Sequence, residues 1–177
     1  MTARFDAAPW PKTLKVTSTI ATLLLVVVGY AAARVIPPVE PAHTVGTLVA
    51  LVPPLIAVFC ALLVVKGYEA DATRLRVRRL LWDTVIRLDD LGQVWHDPEA
   101  TKGSLRVFGN GGLYSFTGVF QNRKLGRYRA FITDSKCAVV LQLRRRVLVV
   151  TPALPEAFVA HVRTFCPNVA VGPPPVG

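Results

Sequence analysis

Six basic side chains offer the most chemistry in this sequence. Arg123, Lys124 and Arg127 fall in one short stretch, with Arg129 beside them, and Arg144, Arg145 and Arg146 form another. A guanidinium presents a planar fork of N–H donors that grips a phosphate or carboxylate through two bonds at once. Strand-end loops that gather such groups make an anion site for a lipid headgroup or a phosphate. The plainer reading of the same residues is that of solvated strand ends. Arg123, Lys124, Arg127, Arg144, Arg145 and Arg146 are the candidate anion or headgroup contacts.

Little else in the chain reads as reactive. His43, His96 and His161 are far apart, with no H-x-x-x-H or HExxH pair to hold a metal. Asp89-Asp90 and Asp97-x-Glu99 lack the spacing of a calcium loop and read as solvated turns. Ser104, Ser115 and Ser135 have no GxSxG context. The run Gly109–Gly112 (GNGG) has neither the GxxxxGK[ST] nor the GxGxxG pattern of a phosphate cradle, so it reads as a tight turn needing positive φ. Cys60, Cys137 and Cys166 show no CxxC spacing, which argues against a disulfide-stapled secreted domain. No catalytic residue, metal site or cofactor is expected. Nucleic acid is not an expected partner, because aromatic residues do not interleave with the basic runs as a stacking platform requires.

The elements that position these groups begin with two apolar runs. Of the 177 residues, 52% are hydrophobic and only 18% charged, against about 25% charged in ordinary soluble domains. Val16–Ala33 holds no charge and is bracketed by Lys15 and Arg34; Thr44–Val65 is likewise uncharged and ends at Lys66. Each approaches the ~20 residues that a helix needs to cross the hydrocarbon core. Only a helix satisfies its own backbone there. The short linker VIPPVEPAHT makes the pair an antiparallel hairpin, with helices at about 16–35 and 44–66. Pro53-Pro54 should kink the second helix, since proline removes a donor and crowds the preceding turn.

Orientation follows from flanking charge. Arg4, Lys12 and Lys15 precede the first helix, and Lys66, Arg74, Arg76, Arg78 and Arg79 follow the second. Both termini are therefore expected on the cytoplasmic side of the inner (plasma) membrane. A rival reading makes the first run a cleaved signal peptide; the part after the second helix would still be cytoplasmic. The net charge is +10, and from Tyr68 onward 16 Lys and Arg stand against 9 Asp and Glu. A basic surface favours anionic partners, though basic residues beside a span also serve simply to orient it.

After Tyr68 the pattern changes to short alternating stretches. In Arg74–Leu80, Leu75, Val77 and Arg79 fall on one face and Arg74, Arg76 and Arg78 on the other, the period of a half-buried strand. Asp83–Leu88, Leu105–Phe108, Tyr114–Gln121, Gly126–Thr133, Ala138–Leu143 and Arg146–Val150 read as further strands. Asp89-Asp90 is expected to open a short helical turn through Trp95. Pro155 starts a closing helix, with Ala157, Phe158, His161, Val162 and Phe165 on one face. About seven strands and one helix suggest a small barrel with a plugged end.

The order Tyr68, Leu75, Val77, Arg79, then Ile86, Leu88, Leu91 and Val94, resembles the opening of bacterial pleckstrin-homology-like domains. The segments LRVFGNGGLYSFTGVFQNRKLGRYRAFITD and VLVVTPALPEAF are similar to a subfamily of them. The resemblance covers about Tyr68–Phe165. It implies a mainly-β PH-like barrel capped by a C-terminal helix, following a two-helix transmembrane hairpin. The expected division is a cytoplasmic segment (1–15), the hairpin (16–66), the PH-like domain (68–166) and a flexible tail (167–177). The expected function is a non-enzymatic membrane-anchored adaptor that binds a protein partner or a second copy of itself. The alternatives are a sensor of anionic lipid or phosphate headgroups, and an accessory subunit of a membrane enzyme or transporter.

Overall fold

The computed structural model describes residues 2–36, 42–166 and 169–172. Helix α1 (Lys12–Val35) and helix α2 (Ala42–Leu62) pack against each other as a hairpin; most of the expected linker, with Glu40, lies outside the described residues. Both helices are long and apolar enough to cross a membrane, and only 11% of each apolar window is buried within the chain. Leu24, Val27, Leu55 and Phe59 are each about 60% exposed. In water such a surface would be a large uncovered apolar patch.

The helices depart from the apolar runs at their ends. Helix α2 stops at Leu62 rather than Lys66, because the Lys66 N–H is drawn to the Arg78 carbonyl and the chain enters a sheet. Pro53 and Pro54 lie inside α2. Pro54 has no N–H to offer the Ala50 carbonyl, and Gly29 of α1 lies against that carbonyl. A Cβ on Gly29 would come within 3.0 Å of the Ala50 oxygen and 3.1 Å of Pro54 Cδ.

The segment before α1 is more than a charged flank. Strand β1 (Ala3–Asp6) pairs antiparallel with β2 (Gly67–Ala70), the first strand after α2. The residues entering and leaving the hairpin are thus hydrogen-bonded to each other, so both lie on the same side of it. The Ala8 N–H donates to the Thr151 carbonyl, and Thr133 Oγ1 donates to the Ala8 carbonyl.

The domain is built on two sheets. One runs β1-β2-β3-β4, with β3 (Arg74–Arg78) and β4 (Asp83–Arg87) as antiparallel neighbours. The other holds β5 (Leu91–His96), β6 (Leu105–Gly111), β7 (Phe116–Asn122), β8 (Gly126–Ile132), β9 (Val139–Leu143), β10 (Val147–Val150) and β11 (Ala170–Val171), in the order β11-β5-β9-β10-β8-β7-β6. The PH-like architecture stands, with eleven strands among the described residues rather than about seven. The expected helical turn after Asp89 is instead strand β5, which pairs with β9 from Leu91 to His96. Pairing along that length outweighs the N-terminal signal of two carboxylates. The tail, expected to be loose, adds β11 beside β5 at Ala170–Val171.

Both faces of the larger sheet are covered along its middle, which explains why β10 is wholly apolar and β9 apolar but for Gln142. On one face Val94, Phe131, Leu141 and Leu148 meet Tyr68, Leu75 and Ile86 of the smaller sheet and Phe158 and Val162 of helix α3 (Pro155–Phe165). On the other, Trp95, Phe120, Tyr128 and Val149 form a second cluster under Ala100 and Leu125.

Tyr68 ties the two sheets together. Its hydroxyl donates to the Phe131 carbonyl at 2.6 Å and accepts from the Thr151 N–H at 3.1 Å. Complete burial pushes its pKa up to about 12, opposed by the bonds to Thr151. A folded-state pKa above the unfolded one gives stability that is full below pH ~10 and lost as pH rises toward 12. The loss amounts to roughly 2–3 kcal/mol at about 1.4 kcal/mol per unit. Tyr68→Phe is expected to cost about 1–2 kcal/mol at neutral pH through the orphaned partners and to flatten the alkaline limb. Denaturant midpoints between pH 8 and 11 check both.

Candidate functional site

Parallel pairing of β8 and β10 brings the two basic clusters together. Tyr128 lies opposite Val147 in that register, so Arg127 and Arg146 enter their strands side by side. The turn before β8 carries Arg123 and Lys124; the turn before β10 carries Arg144 and Arg145. All six side chains are exposed. Lys124 Nζ pairs with Asp97 Oδ2, and Arg146 Nη2 donates to the Arg87 carbonyl at 3.2 Å. Among the described residues the other four have no carboxylate within ion-pair distance. What forms is an exposed cationic end of the sheet, able to meet an extended anionic surface, with an open depression beside it lined by Arg144 together with Asp89 and Asp90.

This end is remote from the helices. The opposite end of the sheet, at the β6–β7 turn, makes contacts with the hairpin: Ser115 Oγ donates to the Leu63 carbonyl at 3.4 Å, and the Tyr114 N–H donates to Ser18 Oγ at 2.9 Å. Strand β7 has seven residues from Phe116 to Asn122 and spans on the order of 20 Å. That exceeds the Debye length of about 8 Å at physiological ionic strength.

The β6–β7 connection corrects the reading of GNGG. Gly109 and Gly112 do take positive φ, at 113° and 117°. Strand β6 nevertheless continues through Gly111, and the turn follows at Gly112–Ser115. Its tip docks on a polar stripe of α1, where Tyr114 Oη lies 2.6 Å from Thr22 Oγ1. Ser18 and Thr22, one helical turn apart within the uncharged run of α1, carried that signal in the sequence.

At the hairpin's end two arginines behave differently from the six. Arg79, the residue that follows β3, is 8% exposed. It donates from Nη1 to the Leu63 carbonyl at 3.0 Å and from Nε to Thr84 Oγ1 at 3.2 Å. It thereby caps the carbonyl end of α2, where a cation is favoured. Arg129 lies two residues along β8 from Arg127, roughly 7 Å nearer the hairpin. Its guanidinium and that of Arg79 stand 5.1 Å and 5.4 Å from the Phe131 ring centroid. Burial, and then the neighbouring Arg129 charge, hold the Arg79 pKa below the usual range.

The remaining reactive residues are occupied structurally. His96 Nδ1 lies 2.9 Å from Glu156 Oε1 and its Nε2 3.1 Å from the Lys136 carbonyl, joining β5 to the start of α3. His161 packs between Phe5 and Phe165. Burial pushes the Cys137 and Cys166 thiols up, Asp134 adding to it at Cys137. Among the described residues no three His, Cys, Asp or Glu side chains are grouped to hold a metal ion.

The model of the family described as "Bacterial PH domain" matches residues 66–165, spanning β2 to α3. No curated protein and no solved structure matches the chain.

Proposed function

Because the chain belongs to the bacterial PH domain family, we propose that it is a non-enzymatic, membrane-anchored adaptor. Its hairpin spans the inner membrane, and its PH-like domain presents the cationic sheet end to an acidic protein in the cytoplasm. The observation that carries this reading is the convergence of Arg123, Arg127, Arg144, Arg145 and Arg146 at the end of the sheet remote from the helices. Charges more than a Debye length from the bilayer gain little from its headgroups, whereas exposed guanidinium forks suit carboxylates. Placement is supported by flanking charge and by the β3–β4 turn. There Leu80, Leu81 and Trp82 are 46%, 71% and 40% exposed beside Arg79, level with the end of α2. An exposed Leu-Leu-Trp tip at that level suits a membrane interface, where tryptophan is enriched.

The test compares full-length protein with its R123E/R127E/R144E/R145E/R146E variant, both in neutral phosphatidylcholine nanodiscs. The expected result is a defined acidic protein held by the wild type, weakened at least tenfold by the substitutions and by 0.5 M salt. The same protein held equally by both forms, or none held by either, would count against the reading.

A further inference from the structure

A groove of about 560 Å³ runs between the last turns of α2 and the exposed edge of the larger sheet. Phe59 and Cys60 of α2, with Leu63 just past it, form one wall, Phe108 and Val119 of the sheet the other, and Arg129 also lines it. Phe59 and Phe108 are 60% and 76% exposed. The groove is thus continuous with the apolar outer surface of α2 and has one charged group.

We propose that this groove holds a single anionic phospholipid, its phosphate on Arg129 and an acyl chain along Phe59 and Leu63. Among the described residues Arg129 has no carboxylate within ion-pair distance, and neither does Arg79, which lies against the same Phe131 ring. Two cations about one ring, one of them 8% exposed, repel each other; cations taken out of water are ordinarily paired. A phosphate at Arg129 offers both the counter-charge and the acceptors for its fork. Apart from Asn110 and Thr117 the rest of the groove lining is apolar, and it opens along a helix of membrane length, so the anion's attached group is hydrocarbon. The inference rests on α2 spanning a membrane but not on the protein partner of the remote basic end.

Native mass spectrometry of delipidated full-length protein, offered equimolar phosphatidylglycerol and phosphatidylcholine, tests it. The expected result is one phosphatidylglycerol retained per chain, with at least tenfold preference. Arg129→Ala and Val119→Trp, the second filling the groove without altering charge, each reduce retention at least tenfold. R144E/R145E/R146E retains the lipid, which separates this site from the adaptor surface. Retention by Arg129→Ala at the wild-type level, or equal retention of phosphatidylcholine, overturns the proposal. So does full displacement by millimolar glycerol 3-phosphate, which would identify a site for soluble phosphate.

Discussion

Replacing Phe158 with alanine is expected to lower the Tm of the full-length protein in detergent by about 15 °C or more. Phe158 is fully buried and sits where three parts of the chain meet. Its ring lies edge-on to Phe5 of β1 at 5.1 Å and to Tyr68 of β2 at 6.4 Å, and it belongs to the cluster that joins both sheets. Truncating a buried phenylalanine costs about 3–5 kcal/mol through lost transfer energy and the cavity left behind. In a domain of this size each kcal/mol moves Tm by roughly 4–8 °C. Alanine is the best helix former, so α3 itself gains slightly and the loss reports packing alone. Tryptophan fluorescence during heating reads the shift. A change below about 3 °C would mean that α3 does not plug the core.

The second large effect is at Gly118. It lies opposite Gly109 in the β6–β7 ladder, and both have positive φ, 147° and 113°. A Cβ on Gly118 would fall 2.2 Å from the Phe108 carbonyl oxygen and 2.8 Å from Gly109 Cα. Those are backbone atoms and have nowhere to turn. Backbone strain of about 1–3 kcal/mol adds to overpacking of about 1–3 kcal/mol. Gly118→Ala should therefore cost on the order of 2–6 kcal/mol, on those two ranges, and distort the groove beside α2 that Gly118 lines. Gly103→Ala is the control. Gly103 also has positive φ, at 66°, but nothing lies within 4 Å of its Cβ position, so only the conformational cost of about 1–2 kcal/mol remains. Chemical denaturation of the two variants separates crowding from conformation; equal losses would refute the crowding account.

The contrast between those glycines shows what the sequence could and could not tell. That GNGG needs positive φ was readable from residue type, but the crowding that makes Gly109 and Gly118 hard to replace depends on the strand opposite. The helices were legible because an uncharged run near 20 residues admits few structures, and β3 because its residues alternate. Strand β1 was not, since ARFD has four residues and no period until β2 lies beside it. Strand β5 was misread because local carboxylate placement favoured a helix while pairing with β9 fixed a strand. The parallel β8–β10 pair joins segments separated by a whole strand, and no local pattern announces it. That pair decides the site: it sets Arg127 beside Arg146, whereas Arg129, two residues along the same strand, lines the groove near the helices.

The account's central claim is that the two ends of the domain face different partners, the Leu80–Trp82 tip the bilayer and the remote basic end a protein. Photo-crosslinking in native membranes tests this directly, with a benzophenone side chain placed once at Leu81 and once at Arg145 of the full-length protein. The account predicts lipid adducts from position 81, and from position 145 a discrete protein adduct that disappears when Arg123, Arg127, Arg144 and Arg146 are changed to glutamate. Lipid adducts from position 145, or the same protein adduct after charge reversal, would contradict it.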